Sequence, residues 1–249
     1  MTCHDLGMGY DLHITRAFVA DESERFPILD AEVDELVRAE PDLAIPSDAP
    51  RHPGFCFVQW TADLPGREHY LLFQHGRLSI KHPEPAFLRR MIDLAARLDA
   101  WVIGDDAEVC GFDGERVVAW QRGREAFARR RRFITRGTWL GGLNADTPIR
   151  PGEWAALVAA QPDFTMLTSI EASLPSGTRP IACPPVAAWT GHRSGRPIPF
   201  FFDEDVIEVR DADEPTERRM AGLAAELSAK AVDDDDRPVP DTGDRRTDR

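Results

Sequence analysis

Long apolar runs are missing from this sequence. No stretch approaches the ~18 consecutive apolar residues that a membrane helix requires, so an integral helical membrane protein is not expected. The opening MTCHDLGMGYDLHITR has no apolar core of signal-peptide length, and a cytoplasmic location is the expectation. The four cysteines, Cys3, Cys56, Cys110 and Cys183, stand far apart without a C-x-x-C pair, which argues against a zinc knuckle or a disulfide framework. Lysine is almost absent, with Lys81 and Lys230 the only two among 30 basic residues; this is a compositional bias that carries no functional weight.

Catalytic signatures are equally scarce. There is no G-x-x-x-x-G-K-[ST] phosphate cradle, no strand followed by G-x-G-x-x-G, no G-x-S-x-G elbow and no H-E-x-x-H. Pro180-Ile181-Ala182-Cys183 shares only an outline with the P-C-x-x-C of zinc deaminases, and the accompanying H-x-E is missing. No catalytic residue and no cofactor is therefore expected.

What is present is an ordinary globular composition, 42% hydrophobic and 29% charged, with a formal net charge of −13 over 249 residues. The charge is unevenly spread. Residues 1–110 carry 20 acids against 10 bases, residues 111–132 carry 3 acids against 7 arginines, residues 133–232 carry 13 against 9, and the tail 233–249 carries 7 against 4. Acidic bodies of this kind repel phosphate, which makes sequence-specific nucleic acid an unsuitable partner. The run Arg129–Arg132 reads as a solvated basic linker.

The strongest signal is an internal duplication. Ile14-Thr15-Arg16 recurs as Ile134-Thr135-Arg136. Pro27-Ile28, Glu32, Leu36-Val37, Ala39 and Pro41-Asp42 recur as Pro148-Ile149, Glu153, Leu157-Val158, Ala160 and Pro162-Asp163. Trp60-Thr61 recurs as Trp189-Thr190, and Arg90-Met91 with Leu94-Ala95-Ala96 recurs as Arg219-Met220 with Leu223-Ala224-Ala225. The offset grows from 120 through 121 to 129, so small insertions separate the copies.

Each copy reads as β-α-β-β-β-α-β, an α+β unit with two helices over one sheet, similar to a ferredoxin-like arrangement. Tyr10–Thr15 alternates as a half-buried strand. Asp30 is the expected cap of a helix bearing Val33, Leu36 and Val37 on one face and stopping at Pro41. Phe55–Thr61 reads as a strand, and 70–81 as a hairpin turning at His75-Gly76 with Phe73 opposite Leu78 and Leu71 opposite Ile80. Pro85 opens a second helix, and Trp101–Ile103 closes the sheet. The second copy offers a helix from Pro151, strands at Phe200–Phe202 and Val206–Val209, and a helix from Pro215. A further hairpin is expected over 107–120. The resulting division is 8–120, a basic linker 121–132, 133–232, and a disordered acidic tail 233–249.

The opening Met8–Arg16, M-G-Y-D-L-H-I-T-R, the Pro41-Asp42 after the first helix, and Arg90–Asp106 ending in Gly104-Asp105-Asp106 resemble a group of small bacterial proteins. These begin M-x-Y-D-L-x-I-T-R and end near G-D-D-G-E-x-Y. The likeness covers residues 8–110 and, more faintly, the second copy. Here Ala107-Glu108-Val109-Cys110 follows Gly-Asp-Asp, so the closing tyrosine is missing. The resemblance implies the domain unit and a natural start at Met8. It brings no activity with it.

Three constellations could carry chemistry. His69 and His82 are expected to face each other across the hairpin with His75 at its turn, but the second copy has Ile198 and Asp211 instead and no third ligand, so surface histidines rather than a metal site are the reading. Asp105-Asp106-Glu108 and Asp233–Asp236 follow closing strands and read as solvated turns. Thr15-Arg16 and Thr135-Arg136 end the first strand of each copy. With His13 they are the candidate ligand-binding residues, and a structural Arg–carboxylate pair is the alternative. Trp60 and Trp189 are expected in the core, and Trp120 and Trp139 partly exposed.

Two functions follow. One is a non-enzymatic acidic module binding a basic protein partner, in the manner of an immunity-type neutraliser. The other is a small-molecule enzyme or sensor with its site between the two copies, built on His13, Thr15, Arg16, Thr135 and Arg136.

Overall fold

The computed structural model describes residues 10–62, 68–114, 116–121, 131–137 and 147–239. Of the expected basic linker 121–132, Gln121 ends one strand and Arg131-Arg132 open another, where they pair with Glu208 and Glu217 instead of standing in solvent; residues 122–130, Met8, Trp139 and the tail from 240 onward lie outside the described residues. The chain is α+β and divides into two compact units. The first comprises the chain up to residue 122 together with 169–184, and the second the remainder. No helix among the described residues is long and apolar enough to cross a membrane.

In the first unit, strand β1 (Asp11–Thr15) leads to helix α1 (Asp30–Ala39). Strands β2 (Leu43–Ala44), β3 (Phe55–Trp60), β4 (His69–Gln74) and β5 (Arg77–Lys81) follow, then helix α2 (Pro85–Arg97) and strands β6 (Trp101–Gly104), β7 (Glu108–Asp113) and β8 (Arg116–Gln121). The eight strands form one sheet in the order β2-β3-β4-β5-β1-β6-β7-β8. β1 lies antiparallel between β5 and β6, with Ile14 opposite Leu78 and Val102. There is one strand more than expected. β2 spans two residues, between Pro41 and Pro46, and is too short to show an alternating pattern.

Local chemistry explains the element ends. Asp30 does not cap α1; it is the first helical residue, and its carboxylate accepts the Gly54 N–H at 3.0 Å. The capping group is Glu32, which reaches back to the Leu29 N–H at 2.9 Å and meets the favourable end of the helix dipole. α2 begins at Pro85, where a missing N–H costs nothing. The turn at His75-Gly76 places both residues at positive φ, 52° and 70°, the geometry of a type I′ hairpin, and Phe73 stands opposite Leu78 as expected. Leu12, Ile14, Val58, Leu71, Phe73, Leu78 and Val102 from the sheet pack with Val33, Leu36, Phe87, Met91 and Leu94 from the helices in one core.

The second unit repeats this order. β9 (Arg131–Thr135) precedes α3 (Pro151–Ala160), then β10 (Phe164–Leu174), β11 (Gly177–Trp189), β12 (Ile198–Asp203), β13 (Val206–Arg210), α4 (Glu214–Glu226) and β14 (Lys230–Asp233). The sheet order β10-β11-β12-β13-β9-β14 matches β2-β3-β4-β5-β1-β6 strand for strand. Its core holds Ile134, Trp154, Trp189, Phe200, Ile207, Met220 and Leu223. The eight additional residues between Asp163 and Trp189 lengthen the β10–β11 hairpin, whose outer part, 169–184, groups with the first unit. There Ala172, Leu174 and Ile181 pack on Phe26, and Ser176 and Arg179 bond Asp99. Of the segment expected to be disordered, residues 233–239 form a turn in which Pro238 bridges to Val232 and Val239 is buried.

Candidate functional site

Arg16 follows β1 and is 6% exposed. All five of its N–H donors are occupied. Nε and Nη2 donate to the Leu98 carbonyl at 3.3 and 2.8 Å, and Nη1 donates to the Pro27 carbonyl at 3.0 Å. Nη1 and Nη2 also bond the two Glu32 oxygens at 2.8 and 2.7 Å. The planar fork of the guanidinium suits this arrangement as an ammonium would not. It fastens the end of β1 to the start of α1 and to the last carbonyls of α2, where positive charge is favoured. Burial pushes the Glu32 carboxyl up, but its bonds to Arg16 and to the Leu29 N–H, with the charges of Arg16 and Arg179, outweigh this and hold it below its ordinary value.

Arg136 makes the same contacts. Nε and Nη2 donate to the Leu227 carbonyl at 2.9 and 2.7 Å, Nη1 donates to the Pro148 carbonyl at 3.2 Å, and Nη2 pairs with Glu153. A second network also recurs. The Asp42 carboxylate accepts Trp60 Nε1–H at 2.8 Å and Arg90 at 2.6 and 2.9 Å, while its carbonyl accepts the Thr61 N–H at 2.8 Å. Asp163 accepts Trp189 Nε1–H at 2.8 Å, Arg219 at 2.7 Å and the Thr190 N–H at 2.8 Å. Trp189 lies in the core as expected, and Trp60 packs against its own core with its ring stacked on Phe87.

The two threonines act locally. Thr15 is fully buried; its oxygen accepts the Ala17 N–H at 3.1 Å and lies 2.7 Å from Ser23 Oγ. Thr135 accepts the Gly137 N–H at 3.0 Å. His13 is 5% exposed and links Ser79 Oγ, 2.8 Å from Nδ1, to Asp105 Oδ1, 3.4 Å from Nε2. Burial lowers its pKa first and Arg77 adds to this, with Asp105 opposing both. A related chain that the sequence did not suggest joins Ser194 Oγ to His192 Nδ1 at 2.7 Å and His192 Nε2 to Asp213 at 3.0 Å. Its members come from a loop and a helix cap, and no fixed spacing announces them.

Two surface assignments need correction. His69 is not a surface histidine: it is 8% exposed, and its ring packs 5.0 Å from Phe87 and 5.8 Å from Trp60. His75 instead pairs with Glu24 at the turn, and no group of three metal-binding side chains occurs among the described residues. Asp105-Asp106-Glu108 is not wholly a solvated turn, because Glu108 begins β7 and is 6% exposed.

The Arg16–Glu32 pair borders a cavity of about 450 Å³, together with Leu36, Arg97, Asp99 and Arg179. Arg97 is bonded to Glu40 and Arg179 to Asp99, so the cations on its rim are committed to the protein's own carboxylates. Glu35 on the same rim is 80% exposed and only 3.9 Å-paired to Arg38, which leaves it open to a cationic group from outside. A second concavity, of about 440 Å³, lies at the β7–β8 turn between Arg89, Phe112, Gly114 and Arg116. Phe112 and Trp120 in this hairpin are 41% and 42% exposed, the latter as expected. Compared with protein-family models, curated proteins and solved structures, the chain matches none.

Proposed function

We propose that the chain is a duplicated, non-enzymatic acidic interaction module that acts in the cytoplasm by binding a basic protein partner, in the manner of an immunity-type neutraliser. The observation that carries this reading is where the arginines go. The side chains of Arg16, Arg90, Arg131, Arg136, Arg210 and Arg219 are each 20% exposed or less, and each is paired with a carboxylate. Arg131 and Arg210 share Glu208 while Arg90 takes both Glu40 and Asp42, so these six arginines are matched by six carboxylates and the net −13 is left to the remaining charges. A surface of one sign raises the association rate of an oppositely charged partner and repels wrong ones.

The test is capture from native lysate with elution in rising salt, then reconstitution with the purified partner. A stoichiometric basic protein released between about 0.1 and 0.5 M salt, where surface charge is screened, supports the reading. A complex whose Kd is unchanged over that range overturns its electrostatic basis.

A small-molecule enzyme or sensor is the second reading, and the Ser79–His13–Asp105 chain favours it, since hydroxyl, imidazole and carboxylate stand in the order of an activated nucleophile. Covalent labelling of Ser79 by a fluorophosphonate, lost in His13→Ala, is the outcome this reading requires.

A further inference from the structure

Glu108 is the first residue of β7 and faces the same side of the sheet as Cys110 and the core. Both of its carboxylate oxygens are buried without a hydrogen-bond partner, and so is the hydroxyl of Tyr10. Gly104, at the end of β6, explains how the two groups fit. A Cβ on that residue would lie 1.7 Å from Tyr10 Oη and 2.2 Å from Glu108 Oε1, so the phenol and the carboxyl share the space above the glycine and lie within about 4 Å of one another.

An ionised carboxylate in such a place would be stranded, because burying an unpaired charge costs far more than burying a neutral acid. Among the described residues the surroundings offer no compensating cation. Opposite Glu108 on β8 stands neutral Gln121. From the β1 side, Asp11 and His13 engage Asp105. Asp106 lies in the β6–β7 turn, and Cys110 is the next residue on the same face of β7. Helix α2, which also packs on β7, buries Leu88, Met91, Leu94 and Ala95, while its Arg89 and Asp93 are exposed and its Arg90 is held by Asp42.

We infer that Glu108 is held as the neutral acid beside the Tyr10 phenol, and that this neutral packing is a pH-sensitive latch fastening the β7–β8 hairpin to β6. Burial pushes the Glu108 carboxyl up; its own N–H and that of Asp106 point toward it and oppose this without overcoming it. The folded chain therefore holds a proton that the unfolded chain releases at the ordinary value of 4.5. The latch is fully closed below that value and opens as pH rises through the higher folded one. The segment it governs, 108–121, is the one carrying the exposed Phe112 and Trp120. The inference is independent of any partner.

Titration of the protein labelled with 13C at glutamate Cδ tests it on the native chain. One glutamate resonance titrates above all others and is absent from Glu108→Gln. Between pH 4.5 and the folded value, the folding constant of the wild type falls tenfold per pH unit relative to Glu108→Gln, the signature of one linked proton. Amide exchange over 108–121, corrected for the intrinsic effect of pH, loses protection in the wild type over the same range and keeps it in Glu108→Gln. If all glutamates titrate together near 4.5, or if exchange of the hairpin is identical in both proteins at every pH, the latch does not exist.

Discussion

Replacing Arg16 with alanine is the most informative single change in the first unit. The side chain is 5% exposed and makes five hydrogen bonds, three of them to the carbonyls of Leu98 and Pro27 and two to Glu32. Breaking a buried ion pair costs about 3–5 kcal/mol when the remaining charge is stranded. Glu32 is 36% exposed and keeps the Leu29 N–H, so water takes over much of its solvation and that range is too high for the carboxylate alone. The two carbonyls bring the total back up, because a bond from a charged donor is worth about 1.5–3 kcal/mol each before water replaces it. The adjoining cavity admits that water. A net loss of about 3 kcal/mol follows, which for a domain of this size lowers Tm by about 12 °C. Arg38→Ala is the control: its pair with Glu35 is 3.9 Å long and both side chains are more than 70% exposed, so its melting point stays within about 1 °C of wild type. Thermal melts followed by circular dichroism, with urea midpoints at constant m, read both variants. If Arg16→Ala melts with Arg38→Ala, the guanidinium is not a structural tie, and its place beside the cavity becomes a ligand-binding role.

Arg136→Ala costs less, about 1–2 kcal/mol by urea midpoint, because the arginine is 19% exposed and Glu153 37%. Gly104→Ala forces a methyl onto Tyr10 and Glu108 and destabilises by about 1–3 kcal/mol, read from the same midpoint. Asp213 caps α4 by accepting the Thr216 N–H and hydroxyl. Burial acts against it, but those bonds and His192 hold its carboxyl down to about 2 from 3.8. Its contribution is thus complete above pH 3.8 and lost as pH falls toward about 2. Asp213→Ala lowers stability at neutral pH by about 1 kcal/mol and flattens that acid limb, as urea midpoints at several pH values reveal.

The α+β class, the helices and the second and third hairpin strands were legible because they rest on local rules. Periodicity places Leu36 and Met91 on buried faces, prolines open α2 and α3, and a His-Gly turn fixes the register of Phe73 with Leu78. What was not legible depends on distant partners. Asp30 has the chemistry of a cap, yet Gly54 competes for its carboxylate and Glu32 takes over the end of the helix. His69 carries a polar ring, but Trp60 and Phe87 enclose it. The β10–β11 hairpin has prolines and polar residues throughout, and its outer part is ordered by Asp99 and Phe26, which are far away in sequence. Glu108 looked like part of a solvated acidic turn, because nothing local reveals that Gly104 leaves room for a carboxyl to turn inward.

The recurring residues now have a physical meaning. Arginine after the first strand, proline and glutamate at the first helix, aspartate after it, tryptophan in the third strand and arginine in the second helix are the members of two hydrogen-bonded networks, made once in each unit, while the isoleucine before the arginine packs in each core. Each network ties a strand to a helix end, and removing one member deprives several others of a partner at once. Such residues are costly to change singly, whatever the protein does, so their recurrence argues for a retained fold and not for a shared active site. Function is better sought where the units differ. The first adds β7 and β8, with two exposed aromatic rings and the inward-facing Glu108; the second lengthens β10 and β11. Variants of Phe112 and Trp120 should therefore leave melting temperature within about 1 °C of wild type while weakening partner capture, whereas variants of Arg16 or Asp42 should lose both together. If Phe112→Ser and Trp120→Ser bind the captured partner with unchanged Kd, the added hairpin is not part of the interaction surface.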